Sequence, residues 1–183
     1  GFRLHAPTTI VGALVLLNFI VWIADYAVDF QLTKLLGARV ETLSQPWLWW
    51  QFLTYGFLHS PGPSHIIFNM LGLWIFGREI ESTYGRKEFL RLYLAMVVVS
   101  AAVWALVLRL QGFTASPPLV GASGAVSGVV ILYVLLFRHR TLLLMFVLPV
   151  PAWLVGVLFV IFNAMGALGY SEPGDGPQVA YTA

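Results

Sequence analysis

The chain has 183 residues, of which 59% are apolar and only 10% charged, and its mean hydropathy is +0.84. A soluble domain carries about 25% charged residues, so this chain cannot cover its own surface with charge and lipid must solvate much of it. The formal net charge of +2 leaves no nucleic-acid footprint, and the absence of cysteine excludes disulfides, thiolate metal sites and a catalytic thiol.

The first apolar run, Ile10 to Ala24, continues into Asp25 and Asp29 with no small-residue cleavage site after it, which predicts a retained span and not a signal peptide. Crossing a hydrocarbon core of about 30 Å takes about 20 apolar residues, with about 17 as the practical minimum. Segments 8–28, 64–84 with its approach from 53, 89–110, 121–137 and 142–168 meet that length. All are expected to be helices, because only helices and closed barrels satisfy the backbone in lipid and strand periodicity is absent. The predicted class is therefore all-α, a polytopic membrane helical bundle with five transmembrane helices and a single domain over 1–183.

Between the first two spans, the connection from 29 to 52 holds Trp47, Trp49 and Trp50 beside Leu48 and Phe52. Such a cluster suits a segment lying in the headgroup zone, and equally ordinary packing within a loop. Sorted by the spans, Arg3, Arg78, Arg86, Lys87, Arg91, Arg138 and Arg140 fall on one side, against Lys34, Arg39 and Arg109 on the other. That bias predicts a cytoplasmic N-terminus, with the second and fourth spans both starting at the outer face.

Polar groups inside spans are expensive, so each needs a partner or a task. His65 and Asn69 lie four apart and project from one face near the outer end of the second span. Alone, such a pair reads as glue between helices or as a convergent polar site. The fourth span opens Gly121-Ala122-Ser123-Gly124-Ala125-Val126-Ser127-Gly128, which places Ser123 at a helix N-terminus whose free N–H groups and positive dipole end favour developing negative charge. An acyl-transfer nucleophile belongs in such a place. Gly124 and Gly128 also make a GxxxG pair, so close packing of helices accounts for the glycines equally well. The joint observation is sharper, because the His/Asn pair and the serine lie on spans that start at the same face and at similar depth.

At these residues the chain resembles the rhomboid family of intramembrane serine proteases. The matches are His59 followed by His65-x-x-x-Asn69, Glu81 in Gly77-Arg78-Glu79-Ile80-Glu81, and Gly121-x-Ser123-Gly124 with Gly128. The resemblance implies Ser123 as catalytic nucleophile, an oxyanion site of His65, Asn69 and the backbone N–H of Ser123, and structural support from Gly121, Gly124, Glu81 and Gly128. Glu81 would accept hydrogen bonds and tie a neighbouring loop, although a solvated charge beside Arg78 or Arg86 fits the sequence as well. His59 reads as a local structural residue. The resemblance implies transmembrane protein substrates cleaved near the outer face, the lipid bilayer as a partner, and a multi-pass protein of a bacterial inner membrane.

This sequence departs from the family pattern in four ways. The His59 to His65 spacing is one residue longer than usual and contains Pro61 and Pro63; Gln51 follows Trp50 where many members have Arg; and Ser127 stands where an aromatic residue is common. Fourth, the family's general base is a histidine on a sixth span, and none is present here. His139 lies 16 residues after Ser123, about 24 Å along the same helix, far beyond hydrogen-bond reach. His5 falls in the cytoplasmic tail, and His65 already has the oxyanion role. The segment Ser171 to Gln178 reads as an outer loop, and Val179-Ala180-Tyr181-Thr182-Ala183 resembles the approach to the histidine helix. The chain is thus expected to be a domain cut at its C-terminal end, five spans of six, inactive without the missing histidine.

Two other readings compete. A catalytically inactive rhomboid-like protein would bind membrane helices without cutting them, and a small transporter or assembly subunit would use the glycines for packing. No inverted repeat relates the two halves, which lowers the transporter reading. The four histidines are scattered and no phosphate loop or metal-ligand cluster appears, so no metal and no cofactor is expected.

Overall fold

The structure, a computed structural model, describes residues 9–144 and 148–167. His5 and Arg3, and the expected outer loop and histidine-helix approach over 171–183, lie outside the described residues. Helix α1 (Ile10–Ala27) begins with its backbone donors accounted for. Glu81 accepts the N–H groups of Ile10 (2.8 Å) and Val11 (2.9 Å), Thr9 Oγ1 accepts that of Gly12 (3.0 Å), and Ala13 N–H starts the ladder on Thr9 O (3.1 Å).

The chain reverses through Asp29 and Phe30, both in the left-handed region (φ 51° and 57°), into the short α2 (Gln31–Leu36). Buried Asp25 steadies this turn by accepting the Thr33 N–H (3.2 Å) and hydroxyl (2.6 Å). Three 3-10 turns and α3 (Gln51–Thr54) complete the long connection, tied by polar contacts within it. Gln51 occupies the position where the family often has Arg. It is buried, accepts the Thr42 hydroxyl (2.8 Å) and donates to Leu35 O (2.9 Å). Trp47, Trp49 and Trp50 are 71%, 55% and 41% exposed. Packing within the loop therefore leaves much of each ring uncovered.

Helix α4 (Pro63–Tyr84) starts at a proline, whose missing N–H costs nothing in the first turn, and stops at Gly85 (φ 82°). The next residue begins α5 (Arg86–Leu110). Helix α6 (Ser123–Leu136) sits centrally, packed between α4 and α5, with α1 against α4 and α7 (Ala152–Ala167) against α6. Ile66, Leu73, Phe76, Tyr93, Val97, Val126, Val130 and Tyr133 form the buried core, with Phe76 edge-on to Tyr133 at 5.1 Å.

Helices α1 and α5 are each long and apolar enough to cross a membrane. Their outward side chains are bare, as with Ile23 (61% exposed) and Leu110 (79%), a surface that water does not tolerate as a continuous belt. Helix α4 has 22 residues but carries His65, Asn69, Arg78, Glu79 and Glu81, and α6, with 14 residues, is apolar but short.

The structure is mostly helical, as expected, but the expected helix over 142–168 needs correction. Residues Thr141–Leu144 (β1) pair antiparallel with Leu148–Pro151 (β2), with Thr141 opposite Pro151 and Leu142 opposite Val150, and the helix begins only at Ala152. Pro149 and Pro151 explain this, since a proline inside a helix removes a hydrogen bond and clashes with the carbonyl four residues back.

Candidate active site

The N-termini of α4 and α6 meet at one end of the bundle, and the loop entering α6 is held there by backbone contacts from distant segments. Leu119 N–H donates to Ala38 O (2.7 Å), and Gly121 N–H donates to Tyr55 O (3.1 Å). Gly121 adopts φ +114°, a conformation that glycine takes freely and other residues do not. Its missing side chain makes room for the site. A Cβ there would lie 2.8 Å from His65 Cε1, 3.0 Å from His65 Nε2 and 3.7 Å from Ser123 Oγ. The imidazole edge and the serine hydroxyl thus converge on one small volume, and both side chains are half-buried.

Ser123 is the first residue of α6, and the first ladder bond runs from Val126 N–H to Ala122 O (2.9 Å). The N–H groups of Ser123, Gly124 and Ala125 precede that ladder and are available to an anion at the helix end. Asn69 lies one turn below His65 and is buried; its Nδ2 donates to His65 O (2.9 Å). One of its two amide hydrogens is thereby used within α4, and the second is left for another acceptor. Its Oδ1 is buried with no hydrogen-bond partner among the described residues.

Gly124 and Gly128 face α5. A Cβ at Gly124 would lie 2.6 Å from Ser100 Oγ, and one at Gly128 2.8 Å from Met96 Sδ, so both glycines set the close approach of α6 to α5. Glu81 is buried, with both carboxylate oxygens on the α1 backbone. It ties a helix N-terminus, where a loop or a solvated charge was expected. His139 lies exposed beyond the far end of α6, where its Nε2 accepts from Arg138 Nε (3.0 Å), and it takes no part in the Ser123 cluster.

His59 is 1% exposed and its ring sits 5.2 Å from that of His65, with neither nitrogen in a hydrogen bond among the described residues. Burial, and then the neighbouring His65 charge, push its pKa from 6.5 down to about 3. The Phe57 backbone pulls weakly the other way, without reaching hydrogen-bond geometry at either nitrogen.

Sequence reasoning missed Ser60, whose hydroxyl lies 3.1 Å from His65 Nδ1, and Trp22, whose indole N–H donates to Ser60 O (3.0 Å). The one signal for Ser60 was the Pro61-Gly62-Pro63 turn, which folds residue 60 back over the start of α4.

Residues 46–183 match the Rhomboid domain family. The chain is 33% identical over 132 residues to Rhomboid protease GluP of Bacillus subtilis, an alignment covering 70% of this chain and 24% of that protein. It is 35% identical over 109 residues to RHOMBOID-like protein 12, mitochondrial, of Arabidopsis thaliana, covering 52% and 32% of the two chains. Identity to Rhomboid protein 1, mitochondrial, of Saccharomyces cerevisiae is 36% over 104 residues, covering 56% and 30%. The chain spans about a quarter to a third of the length of these relatives. With the domain match reaching over most of a chain built from apolar helices, this membrane protein belongs to the rhomboid family.

Proposed function

We propose that the full-length protein is an intramembrane serine endopeptidase that cleaves transmembrane protein substrates near the outer membrane face. The observation that carries this reading is the convergence of His65 Nε2 and Ser123 Oγ on the space above Gly121, at the N-terminal end of α6. In this reading Ser123 Oγ attacks the scissile carbonyl, and the oxyanion forms between the Ser123 N–H, His65 Nε2–H and the free amide hydrogen of Asn69. Hydrolysis of the acyl-enzyme follows. The proton of Ser123 passes to a histidine general base, which the family resemblance assigns to a sixth span and none of the four histidines of these 183 residues supplies, and from it to the leaving amine as the peptide bond breaks. A single domain over 1–183 with α1, α4, α5, α6 and α7 crossing the bilayer, a cytoplasmic N-terminus and a bacterial inner-membrane location complete the reading.

Two similarities support this reading: the relatives include a rhomboid protease of a bacterium, and the domain match runs through every site residue. The test is cleavage of a transmembrane substrate by the full-length protein in proteoliposomes. Ser123→Ala is expected to abolish cleavage, and His65→Ala to slow it by about 100- to 1,000-fold, the usual loss for one oxyanion donor. A wild type that binds substrate helices without cutting them would give the site to the inactive, helix-binding alternative.

A further inference from the structure

The His65 imidazole is clamped on three sides. His59 packs against it with ring centroids 5.2 Å apart and the planes tilted by 59°, the Gly121 backbone lies by its Cε1–Nε2 edge, and Ser60 Oγ sits 3.1 Å from Nδ1. A neutral imidazole carries one N–H, and the partner of one nitrogen decides what the other can do. If Nδ1–H donated to Ser60, Nε2 would turn a lone pair toward Ser123. If the Ser60 hydroxyl donates to Nδ1, Nε2–H faces the space above Gly121 as a donor.

Oxyanion binding at Nε2 calls for the second arrangement, with the Ser60 hydroxyl 3.1 Å from Nδ1 as the donor. Residue 60 is itself fixed, because its carbonyl accepts the Trp22 indole N–H of α1 at 3.0 Å.

We propose that Ser60 is a positioning residue: its hydroxyl donates to His65 Nδ1 and holds the imidazole in the Nε2–H tautomer that oxyanion binding over Gly121 and Ser123 requires. The inference rests on the oxyanion reading of this site for its purpose, but the tautomer is measurable without any cleavage. An ordinary neutral hydrogen bond shifts such an equilibrium by roughly 2- to 10-fold, so Ser60 acts by setting the fraction of His65 that is ready to donate. Removing it costs less than removing His65.

The test uses the full-length protein in proteoliposomes with 15N-labelled histidine, comparing wild type, Ser60→Ala and Ser60→Thr. Solid-state NMR of wild type is expected to show His65 with a protonated Nε2 and a bare Nδ1. In Ser60→Ala a mixture of tautomers appears, and kcat falls roughly 2- to 10-fold with KM unchanged; Ser60→Thr, which keeps the hydroxyl, restores both. A wild-type His65 protonated at Nδ1 with a bare Nε2 overturns the proposal, as does a Ser60→Ala protein with unchanged tautomer and kcat. Should Ser60→Ala fail to fold, Ser60→Cys, whose thiol is a much weaker donor, takes its place with the same expected mixture of tautomers. A wild type with the Nε2–H tautomer and no proteolysis would sink the protease reading and leave the Ser60 assignment standing.

Discussion

His59 makes the stability of this protein depend on pH in a window far from the carboxylates. Its pKa is about 3 in the folded state against 6.5 for an ordinary histidine, so below pH 6.5 the unfolded chain binds a proton that the folded chain refuses. The contribution is fully present above pH 6.5 and is lost progressively as the pH falls toward about 3. Each pH unit in that window removes about 1.4 kcal/mol, so acidifying from pH 7.5 to 5 is expected to cost about 2 kcal/mol from this one group. The assay is the unfolding free energy in mixed detergent micelles at a series of pH values, for wild type, His59→Phe and His59→Leu. Other titrating groups are common to all three proteins, so the readout is the difference in slope and not absolute stability. The variants should lose about 1.4 kcal/mol per pH unit less than wild type between pH 6 and 5. Parallel pH curves for wild type and both variants would refute the claim that a buried neutral His59 carries this dependence.

Three further predictions concern packing and the site. Gly121→Ala puts a methyl group within 2.8 to 3.0 Å of the His65 ring at φ +114°, so cleavage should fall at least 100-fold in the proteoliposome assay while the circular dichroism spectrum keeps its helical form. Gly124→Ala drives a Cβ to 2.6 Å from Ser100 Oγ, an overpacking of about 1 to 3 kcal/mol partly offset by the better helix propensity of Ala. In a double-mutant cycle, Ser100→Gly should relieve most of it, and additive effects would show that α6 does not approach α5 through this pair. Glu81→Gln replaces one of two carboxylate acceptors with an amide donor facing the α1 backbone, for an expected loss of about 1 to 3 kcal/mol on thermal unfolding. An unchanged midpoint would mean that α1 is not held at that end.

Helix boundaries were legible wherever glycine or proline punctuates the chain. Pro63 and Gly85 bracket α4 almost where periodicity and length set it, and Gly121 precedes α6 as the motif suggests. The region after α6 was not legible, because 142–168 is as apolar as a span and satisfies the length criterion, while Pro149 and Pro151 forbid a helix through its first part. The polar ties of the connection were hidden for a different reason. Asp25 to Thr33, Gln51 to Leu35 and Trp22 to Ser60 join residues 8, 16 and 38 apart, and no period of helix or strand relates them. Within the site, the approach of His65 to Ser123 could be anticipated from helix starts at a common depth. The donation from Asn69 back to His65 O could not, because the same i, i+4 spacing serves both an outward site and an inward bond.

The GxxxG glycines Gly124 and Gly128 and the serine just before them, Ser123, first appeared as rival explanations of one motif, packing on one hand and chemistry on the other. They share a mechanical path. Gly124 lets α6 close on Ser100 of α5, whose hydroxyl lies 2.7 Å from the Tyr55 hydroxyl, and Tyr55 also donates to Val97 O at 2.9 Å. The Tyr55 backbone carbonyl in turn accepts the N–H of Gly121 at 3.1 Å, and Gly121 carries the space on which His65 and Ser123 converge. Side-chain packing between two helices therefore fixes the residue whose backbone positions the loop before the serine. A bulky residue at position 124 would disturb the site through Ser100 and Tyr55 without touching His65, so loss of activity on substituting these glycines does not separate a packing role from a catalytic one; the Ser123, Gly121 and His65 substitutions act on the site directly.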